Sequence, residues 1–344
     1  MDLTDLEAEA KEQIEATFYD YIAGGAEDEL TLDDNEAAWS RLRLRPKVLR
    51  DVRTIDTSTT ILGADVSSPV AVAPMAMQHK ASEEGPVATA KACASTGSLF
   101  CMGLFGAGSA ADVAAVAGDA PKWLQVYVMA DRERSVDAIA RSAEQGYGAV
   151  VITVDVARQG NRRRDARNRW TFLQSDGKVE DPNELFDHAL TFDDIHWFVE
   201  RSPIPLIVKG VMRGDDAQAC IDAGAAGVVV SNHGGRQLDG ALATADVLAE
   251  VVGAVGDRGE VYIDGGIRRG QHVVKALALG AKAVFVGRPA MWGLVVADQK
   301  GVEGVMRGFQ DEVERAMALC GVRSVAEIDE SLIARVGDGG ERVV

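Results

Sequence analysis

The amino-acid sequence predicts an α/β protein built on a (β/α)8 TIM barrel, with an N-terminal helical extension and a C-terminal helical region. Three observations predict this fold class: eight short apolar runs, helical stretches between them, and a glycine or polar residue after nearly every run. Composition does not change abruptly along the 344 residues, a length typical of one barrel with extensions. We therefore expect a single domain, 1–344, comprising N-terminal helices and a hairpin (1–68), the barrel and closing helices (69–335) and a tail (336–344).

The first 45 residues predict two or three helices. Apolar residues recur at helical spacing from Leu3 to Ile14, and Gly24-Gly25 interrupts the first long segment. Residues 31–35 (TLDDN) carry the acidic side chains of a calcium loop at the wrong spacing, so we interpret them as a helix cap. Residues 60–66 (TILGADV) predict a small hairpin before the barrel.

The barrel begins near residue 69, where a strand-and-helix unit starts to repeat. The predicted strands are 70–73, 98–102, 123–128, 149–154, 204–208, 227–230, 261–263 and 283–286. The predicted helices between them include 85–95, 109–117, 134–145, 215–223, 243–255 and 271–278. Arg288-Pro289 begins a last helical region that we expect to run to about Arg335, with a loose tail after Gly337.

In such a barrel, the chemistry lies at the carboxyl ends of the strands. The residues at or just after these ends are Pro74-Met75-Ala76, Gly103, Gln125, Tyr127, Thr153, Asp155, Lys209, Ser231 to Arg236, Asp264 to Arg268 and Gly287-Arg288. Any one of them could belong to an ordinary surface loop. Because independent loops are not expected to align in this way, the whole set predicts a functional site.

The sequence SNHGGRQLD at 231–239 is the most informative strand end. His233 and Arg236 directly follow a buried apolar run, and two glycines between them permit a tight turn. An imidazole accepts a proton near neutral pH, and a guanidinium binds a carboxylate through two parallel hydrogen bonds. The pair points to a site that holds a small acid by its carboxylate and deprotonates it. A polar loop without catalytic function is the alternative.

The ends of the last two strands are typical of a phosphate site. DGGIR and GR supply glycines and the guanidiniums of Arg268 and Arg288 where barrels often bind phosphate. Lys209 follows the apolar run PLIV and needs an anion, which could be negative charge on the reacting ring of a phosphate-tailed cofactor. Residues 106–113 (GAGSAADV) are also glycine-rich, but we interpret them as a loop followed by a helix N-cap at Ser109.

Composition excludes several classes of partner. Asp and Glu number 53 against 36 Lys and Arg, a net charge of −17, which argues against nucleic acid and anionic membranes. The four cysteines and five histidines form no metal-binding or disulfide pattern. No apolar run approaches the roughly 20 residues that span a bilayer, and neither end reads as a signal peptide or peroxisomal address. We expect a soluble cytoplasmic protein without a metal.

Taken together, these motifs resemble those of the FMN-dependent 2-hydroxy-acid oxidase/dehydrogenase family, which includes glycolate oxidase, lactate oxidase and mandelate dehydrogenase. The likeness extends from about Phe18 to Arg335 and rests on YDYIAGGAED, RLRLRPKVLRDV, LQVYV, ITVD, IVKGV, SNHGGRQLD, DGGIRRG, KALALGA and VGRP. The resemblance implies a flavoprotein oxidoreductase that binds FMN and oxidises an L-2-hydroxy acid such as L-lactate to the 2-oxo acid. It also implies reoxidation by O2 or another acceptor, and a homotetramer.

The resemblance assigns a role to each matching position. His233 matches the catalytic base, Asp155 the carboxylate that steadies its imidazolium, Tyr127 the tyrosine near the substrate hydroxyl, and Lys209 the lysine that stabilises the reduced flavin. Arg236 matches the clamp for the substrate carboxylate, with Tyr21 assisting. The positions matching the cofactor site are Pro74, Met75, Ala76, Gly103, Gln125, Thr153, Lys209, Ser231, Asp264, Gly265, Gly266, Arg268, Gly287 and Arg288.

Three features depart from the family pattern. Arg162 aligns with a substrate-facing arginine, but it precedes Arg163 and Arg164, for which a solvated basic loop is an equal alternative. Phe105 stands where glycolate oxidase has a pocket-capping tryptophan, so we expect it to contact substrate and leave room for acids of lactate size or somewhat larger; core packing is the alternative. The loop from Trp170 to Ile204 is shorter than usual, polar and acidic, which argues against membrane attachment and favours a more open pocket.

Several alternatives stay open on the sequence alone. One is a flavin dehydrogenase or biosynthetic oxidase with a different acceptor or substrate. A flavin-free barrel that binds a phosphorylated metabolite is a rival from another class, although it would leave Lys209, His233 and Arg236 without a clear role. The substrate's α-hydrogen could leave as a proton or as a hydride, and His233 serves either route.

Overall fold

The computed structural model of the chain describes residues 3–106, 108–170, 185–336 and 342–343. The N-terminal extension consists of α1 (Leu3–Gln13), α2 (Ala16–Ala23), α3 (Leu30–Arg41), β1 (Leu42–Leu44) and the antiparallel hairpin of β2 (Thr59–Ile61) and β3 (Ala64–Val66). The predicted helices and hairpin are therefore confirmed.

The predicted barrel is confirmed as well: in the described part of the chain, eight parallel strands close on themselves. They are β4 (Val70–Val72), β5 (Phe100–Gly103), β6 (Lys122–Tyr127), β7 (Ala149–Thr153), β8 (Leu206–Val211), β9 (Gly227–Val230), β10 (Glu260–Ile263) and β11 (Ala283–Val286). Each strand pairs with the next along the chain, and β11 pairs with β4, which closes the barrel.

Helices alternate with the barrel strands. They are α4 (Pro86–Thr96), α5 (Ala110–Ala117), α6 (Arg132–Glu144), α7 (Arg163–Asn168), α8 (Phe192–Val199), α9 (Gly214–Asp222), α10 (Thr244–Val255), α11 (Gly270–Ala278) and α12 (Arg288–Cys320), which a kink interrupts at Ala297 and Asp298. Ser109 caps α5 as expected, since its side chain accepts a hydrogen bond from the Asp112 backbone N–H. Helices α7 and α8 lie in the loop after β7.

The barrel interior is filled by side chains, and the hairpin covers one end of it. Ile61 and Val66 of the hairpin belong to the same buried cluster as Ala149 and Ala283, which begin β7 and β11. The backbone N–H of Leu62 donates to Glu260 Oε2 at the start of β10 (3.1 Å). The hairpin thus closes the amino-terminal end of the barrel, and the carboxyl-terminal end is left for a site.

Two expectations for the chain's extensions are wrong. Residues 31–35 lie within the first turns of α3 and do not cap it; Glu29 occupies the N-cap position. The last helical region ends at Cys320, because Gly321 adopts φ +71° and terminates α12. Residues 333–336 instead form a strand, β12 (Ile333–Val336), that pairs antiparallel with β1.

The tail is described only in part. Arg342–Val343 form a short strand, β13, on β12, so these two residues are not loose. Residues 337–341 and 344 of the tail lie outside the described residues, as do residues 171–184 of the loop interpreted as a lid.

Candidate active site

A cleft at the carboxyl-terminal end of the barrel brings most of the predicted site residues together. Of these, the lining includes Tyr21, Pro74, Met75, Ala76, Gly103, Phe105, Gln125, Tyr127, Thr153, Arg162, Lys209, His233, Arg236, Asp264, Gly265, Gly266, Arg268, Gly287 and Arg288. Asp155 and Ser231 are absent from the lining, but both bond directly to residues that line it. The ends of different strands, together with α2, therefore build one site.

His233 and Asp155 form a close pair beside the cleft. The distance between His233 Nδ1 and Asp155 Oδ1 is 2.8 Å, which leaves Nε2 as the ring nitrogen available to a ligand. His233 adopts φ +59° and is followed by two glycines that also have positive φ, so the chain turns sharply as it leaves β9. The Gly-Gly sequence supplies the freedom that this turn requires.

The electrostatics of the pair leave the carboxyl group ionised and the imidazole neutral. Burial lowers the pKa of His233, although the negative charge of Asp155 opposes that effect. Burial alone would raise the pKa of Asp155, but the charges of His233 and Lys209 hold it below its usual value. A neutral imidazole oriented by a carboxylate is competent to accept a proton.

Lys209 belongs to a buried polar network on the cleft wall. Its Nζ donates to Ser231 Oγ (2.8 Å) and lies 3.4 Å from Asp264 Oδ2. Ser231 Oγ in turn donates to Asp264 Oδ2 (2.9 Å) and accepts from the His233 backbone N–H (3.1 Å). Burial works against the charged amine, but Asp264 and Asp155 raise the pKa of Lys209, which therefore keeps a positive charge in the cleft.

Two guanidiniums, those of Arg236 and Arg162, also line the cleft. Arg236 Nη1 donates to the carbonyl oxygens of Tyr21 (2.5 Å) and Gly24 (2.9 Å), and its guanidinium lies over the Tyr21 ring. Arg162 Nε donates to the Arg236 carbonyl oxygen (3.4 Å). Burial and the neighbouring Arg162 lower the pKa of Arg236 to about 10. Among the described residues, neither arginine takes part in an ion pair, so this part of the cleft favours an anion.

The other two arginines of the 162–164 run have a different role. Arg163 pairs with Glu27 (2.9 Å) and Asp28, and Arg164 pairs with Glu29 (2.5 Å) and Asp20. Neither lines the cleft. The solvated alternative therefore holds for Arg163, which is exposed, whereas Arg164 is half-buried; both belong to α7 and fasten it to the N-terminal extension.

Aromatic rings line the part of the cleft near Tyr127. The ring centroids of Tyr127 and Phe186 are 4.6 Å apart, and that of Phe105 lies 5.8 Å from Tyr127 and 5.9 Å from Phe186. Burial raises the pKa of Tyr127 to about 12, so its hydroxyl stays protonated. Phe105 thus lines the cleft as expected. Phe186 and its neighbour Leu185 were missed because nothing in their loop's sequence distinguishes a wall residue from a surface one.

The remaining end of the cleft carries Arg268 and Arg288. Arg288 donates to the carbonyl oxygens of Ile22, Gly24 and Gly234 (2.9–3.2 Å), and burial together with Arg236 and Arg268 lowers its pKa to about 9. Arg268 pairs with Glu36 of α3. Gly266 adopts φ +68°, and a Cβ there would fall 1.9 Å from the Asn35 carbonyl oxygen, so only glycine fits.

Other residues that the sequence did not single out hold the site loops in place. Asn35 of α3 and Asn232 exchange two side-chain hydrogen bonds (2.9 and 2.8 Å). Gln237 Nε2 donates to the carbonyl oxygens of Asp155 (2.8 Å) and Arg158 (2.9 Å), which joins the loops after β7 and β9. Gln237 lies within the SNHGGRQLD motif, whereas Asn35 gave no signal because its partner is 197 residues away.

In the described parts of the chain, no group of His, Cys, Asp and Glu is arranged to hold a metal ion. No helix there is both long and apolar enough to cross a membrane.

This chain is similar to known proteins over nearly its whole length. Residues 10–335 match the family described as FMN-dependent dehydrogenase. The mouse 2-hydroxyacid oxidase 1 is 41% identical over 97% of this chain and 96% of its own length. The L-lactate oxidase of Nostoc sp. is 41% identical over 97% of this chain and 98% of its own. A crystal structure of a mandelate oxidase, with 3,3-difluoro-2-hydroxy-3-phenylpropionic acid, superposes with a TM-score of 0.89 at 39% identity, over 96% of this chain and 97% of that one.

Proposed function

The chain belongs to the FMN-dependent dehydrogenase family, and from this premise we propose that it oxidises L-2-hydroxy acids of lactate size or somewhat larger, with dioxygen as the acceptor. Relatives and solved structures named as 2-hydroxyacid, lactate and mandelate oxidases establish the general reaction, FMN-dependent oxidation of a 2-hydroxy acid to a 2-oxo acid. Family membership also sets aside the flavin-free barrel. The substrate's size and configuration, the acceptor and the residue roles are our proposals.

The cleft residues fit FMN. Arg288 and Arg268, with Gly265, Gly266 and Gly287 nearby, offer positive charge and close backbone approach for a phosphate. Asp264 Oδ1 is buried without a hydrogen-bond partner, so it is available to accept from a ribityl hydroxyl group. Gln125 and Thr153, joined by a 2.9 Å hydrogen bond, offer polar groups to the edge of the flavin ring.

The observation that carries the substrate assignment is the placement of Arg236 and Arg162. Both lie in the same cleft as His233, and no ion pair among the described residues neutralises either of them. A carboxylate held there by two guanidiniums and assisted by the Tyr21 hydroxyl would fix the α-carbon beside His233. An aldehyde or simple alcohol would leave both half-buried guanidiniums without an anionic partner.

The chain's own groups then move the proton. Bound FMN supplies the two-electron acceptor. His233 Nε2 accepts the hydroxyl proton if the α-hydrogen leaves as a hydride, or the α-proton if it leaves as a proton. Asp155 Oδ1 holds Nδ1 and stabilises the imidazolium that forms. Tyr127 offers a protonated hydroxyl to the substrate oxygen, and the Lys209 ammonium favours negative charge at the ring site.

The acceptor and substrate are tested by one anaerobic experiment. The purified protein is mixed without oxygen with L-lactate, glycolate, L-mandelate or D-lactate, and the visible flavin absorbance is followed. We expect L-acids to bleach it and rapid recolouring when air is admitted. Bleaching by D-lactate alone would contradict the configuration, and recolouring only with a quinone or a carrier protein would make the enzyme a dehydrogenase.

We further propose that residues 1–344 act as one FMN-binding domain in the cytoplasm and assemble as a homotetramer. The four cysteines, each buried as a free thiol, suit a reducing compartment. An exposed apolar patch supports assembly: Leu30, Leu238 and Leu242 are 62%, 73% and 64% exposed. Hydrogen bonds from Thr31 to the backbone of Leu238 and Ala241 bring the two segments of this leucine patch together.

A further inference from the structure

A second cavity, of about 200 Å³, lies directly behind the aromatic rings of the active-site cleft. Its described lining is largely apolar and includes Val128, Val154, Val156, Ala157, Leu190, Phe192, Ile195 and Val208. Four described residues line both this cavity and the cleft: Tyr127, Thr153, Val156 and Phe186. The two spaces are therefore neighbours that share a wall, and the stacked rings of Tyr127 and Phe186 form part of it.

The loop that carries Phe186 is held by its backbone. The Asp187 N–H donates to the Val128 carbonyl oxygen (2.9 Å), and the Ala130 N–H donates to the Leu185 carbonyl oxygen (3.0 Å). Arg132 pairs with Asp187 (2.7 Å), which fixes the next residue along the chain as well. The backbone on both sides of Phe186 is therefore held, and its ring packs against those of Tyr127 and Phe105.

The charged and the apolar residues of the cleft have different neighbours: Arg236 contacts Tyr21 and Gly24, whereas the rings of Phe105 and Phe186 contact each other and Tyr127. Arg236 and Arg162 would hold the substrate carboxylate, whereas Phe105, Leu185 and Phe186 offer apolar surface. A substituent on the α-carbon that avoids the charged groups therefore meets these rings. Aromatic rings favour offset or tilted contact with another ring, which gains more than burial alone.

We propose that Phe186 is the specificity-determining residue of the active site. Its ring provides the contact face for an aryl or other compact apolar substituent of the 2-hydroxy acid, and it closes the second cavity to long linear chains. The inference rests on the proposed function, because it names the substrate class of the same site. A shorter side chain at position 186 would open the second cavity to the substrate's substituent.

The test compares kcat/KM for L-lactate, L-3-phenyllactate and L-2-hydroxyoctanoate in four proteins that retain FMN. These are the wild type, Phe186→Ala, the double variant Phe186→Ala with Ala157→Phe, and Phe192→Ala. Ala157 is exposed and lines only the second cavity, so a phenyl group there fills that space without entering the core. Phe192 also lines only the second cavity, which makes Phe192→Ala the matched control.

Each variant has a distinct expected result. Phe186→Ala should lower the phenyllactate-to-lactate ratio of kcat/KM about tenfold and raise the octanoate-to-lactate ratio at least tenfold, since each newly buried methylene contributes about fourfold. Adding Ala157→Phe should abolish the octanoate gain without restoring phenyllactate. Phe192→Ala should leave both ratios within twofold of the wild type.

Two outcomes would overturn the inference while leaving the proposed function intact. One is that Phe186→Ala, still reduced by lactate, leaves both ratios within twofold. The other is an octanoate gain that survives Ala157→Phe, because the chain would then not use the second cavity. If none of the acids reduces the FMN of the wild type, the proposed function itself is wrong and the inference falls with it.

Discussion

His233 combines two properties that a general base needs. Its Nδ1 is engaged by Asp155, and burial keeps the ring neutral at pH values where an exposed imidazole would already be charged. The positive φ of His233 shows that the backbone is held in an uncommon conformation at this residue.

The first prediction concerns pH. Because burial lowers the pKa of His233 below its ordinary value of 6.5, the ring should stay able to accept a proton as the pH falls through that value. We expect kcat/KM to be level through pH 6.5 and to decline only at lower pH, where the ring becomes protonated. A pH profile of kcat/KM checks this, and an acidic limb centred at or above 6.5 would contradict it.

The second prediction concerns the two effects of Asp155 on His233: it orients the imidazole ring, and its negative charge raises the pKa of that ring. Asp155→Asn should lower kcat by about 10²- to 10⁴-fold, because the amide holds the wrong tautomer of His233. Since Asp155 raises the pKa of His233, its loss should also move the acidic limb to lower pH. Asp222→Asn, at an exposed ion pair with Arg258, is the control and should change neither quantity. An unchanged pH profile in Asp155→Asn would refute the electrostatic part.

The third prediction concerns the carboxylate clamp. Arg236→Lys keeps the charge but loses bidentate geometry, so kcat/KM should fall about 10- to 100-fold, mostly through KM. Arg163→Lys is the control, because Arg163 lies next to Arg162 in the sequence but pairs with Glu27 and Asp28. This variant should leave the kinetic constants near those of the wild type. Steady-state kinetics with L-lactate checks both variants, and equal effects would argue against the clamp.

At the scale of elements, two helices support the loop after β10 that carries DGGIR. Trp39 of α3 donates from Nε1 to the Gly265 carbonyl oxygen (3.0 Å), and His272 of α11 accepts from the Arg268 N–H at Nδ1 (3.2 Å). The two rings stack, with centroids 5.7 Å apart. Burial and Lys275 lower the pKa of His272 to about 4, which keeps it a neutral acceptor.

The fourth prediction follows from this support. His272→Leu removes the acceptor for the Arg268 N–H and should raise the FMN dissociation constant about tenfold, the effect of losing one buried hydrogen bond. Fluorescence of released flavin measures that constant directly. His196→Leu, at an exposed position of α8, is the control. Equal FMN affinity in both variants would mean that the stack does not position the phosphate loop.

At the scale of the whole molecule, the leucine patch joins Leu238 and Leu242, on the loop that follows the catalytic segment, with Leu30 at the start of α3. The fifth prediction is that Leu238→Glu reduces the proposed homotetramer to smaller species, because it would place a charge within the apolar interface proposed there. Light scattering coupled to gel filtration gives the mass. Leu319→Glu is the control. Leu319 is 68% exposed, close to the 73% of Leu238, but is remote from the patch in sequence, so this variant should leave the mass unchanged. A wild-type mass for Leu238→Glu would exclude the patch as an interface.

The barrel could be predicted from the sequence because its signals are local: the repeated apolar runs, and the glycine or polar residues at the end of each run. Gln125 and Lys209 lie within their own strands and His233 follows its strand closely, so fold and candidate site could be predicted together. Features that depend on distant pairing were missed. Strand β12 pairs with the distant β1, Asn35 bonds to the distant Asn232, and Phe186 becomes a wall residue where its loop meets Tyr127.

The most direct test of the account is the rate at which a 2-hydroxy acid reduces bound FMN in the absence of oxygen. Stopped-flow absorbance would compare the wild type with His233→Gln at saturating L-lactate. We expect the variant to bind FMN and substrate still but to be reduced about 10²- to 10⁴-fold more slowly, the range for a lost general base. Reduction of His233→Gln at the wild-type rate would contradict the account, because proton removal would then not depend on this residue.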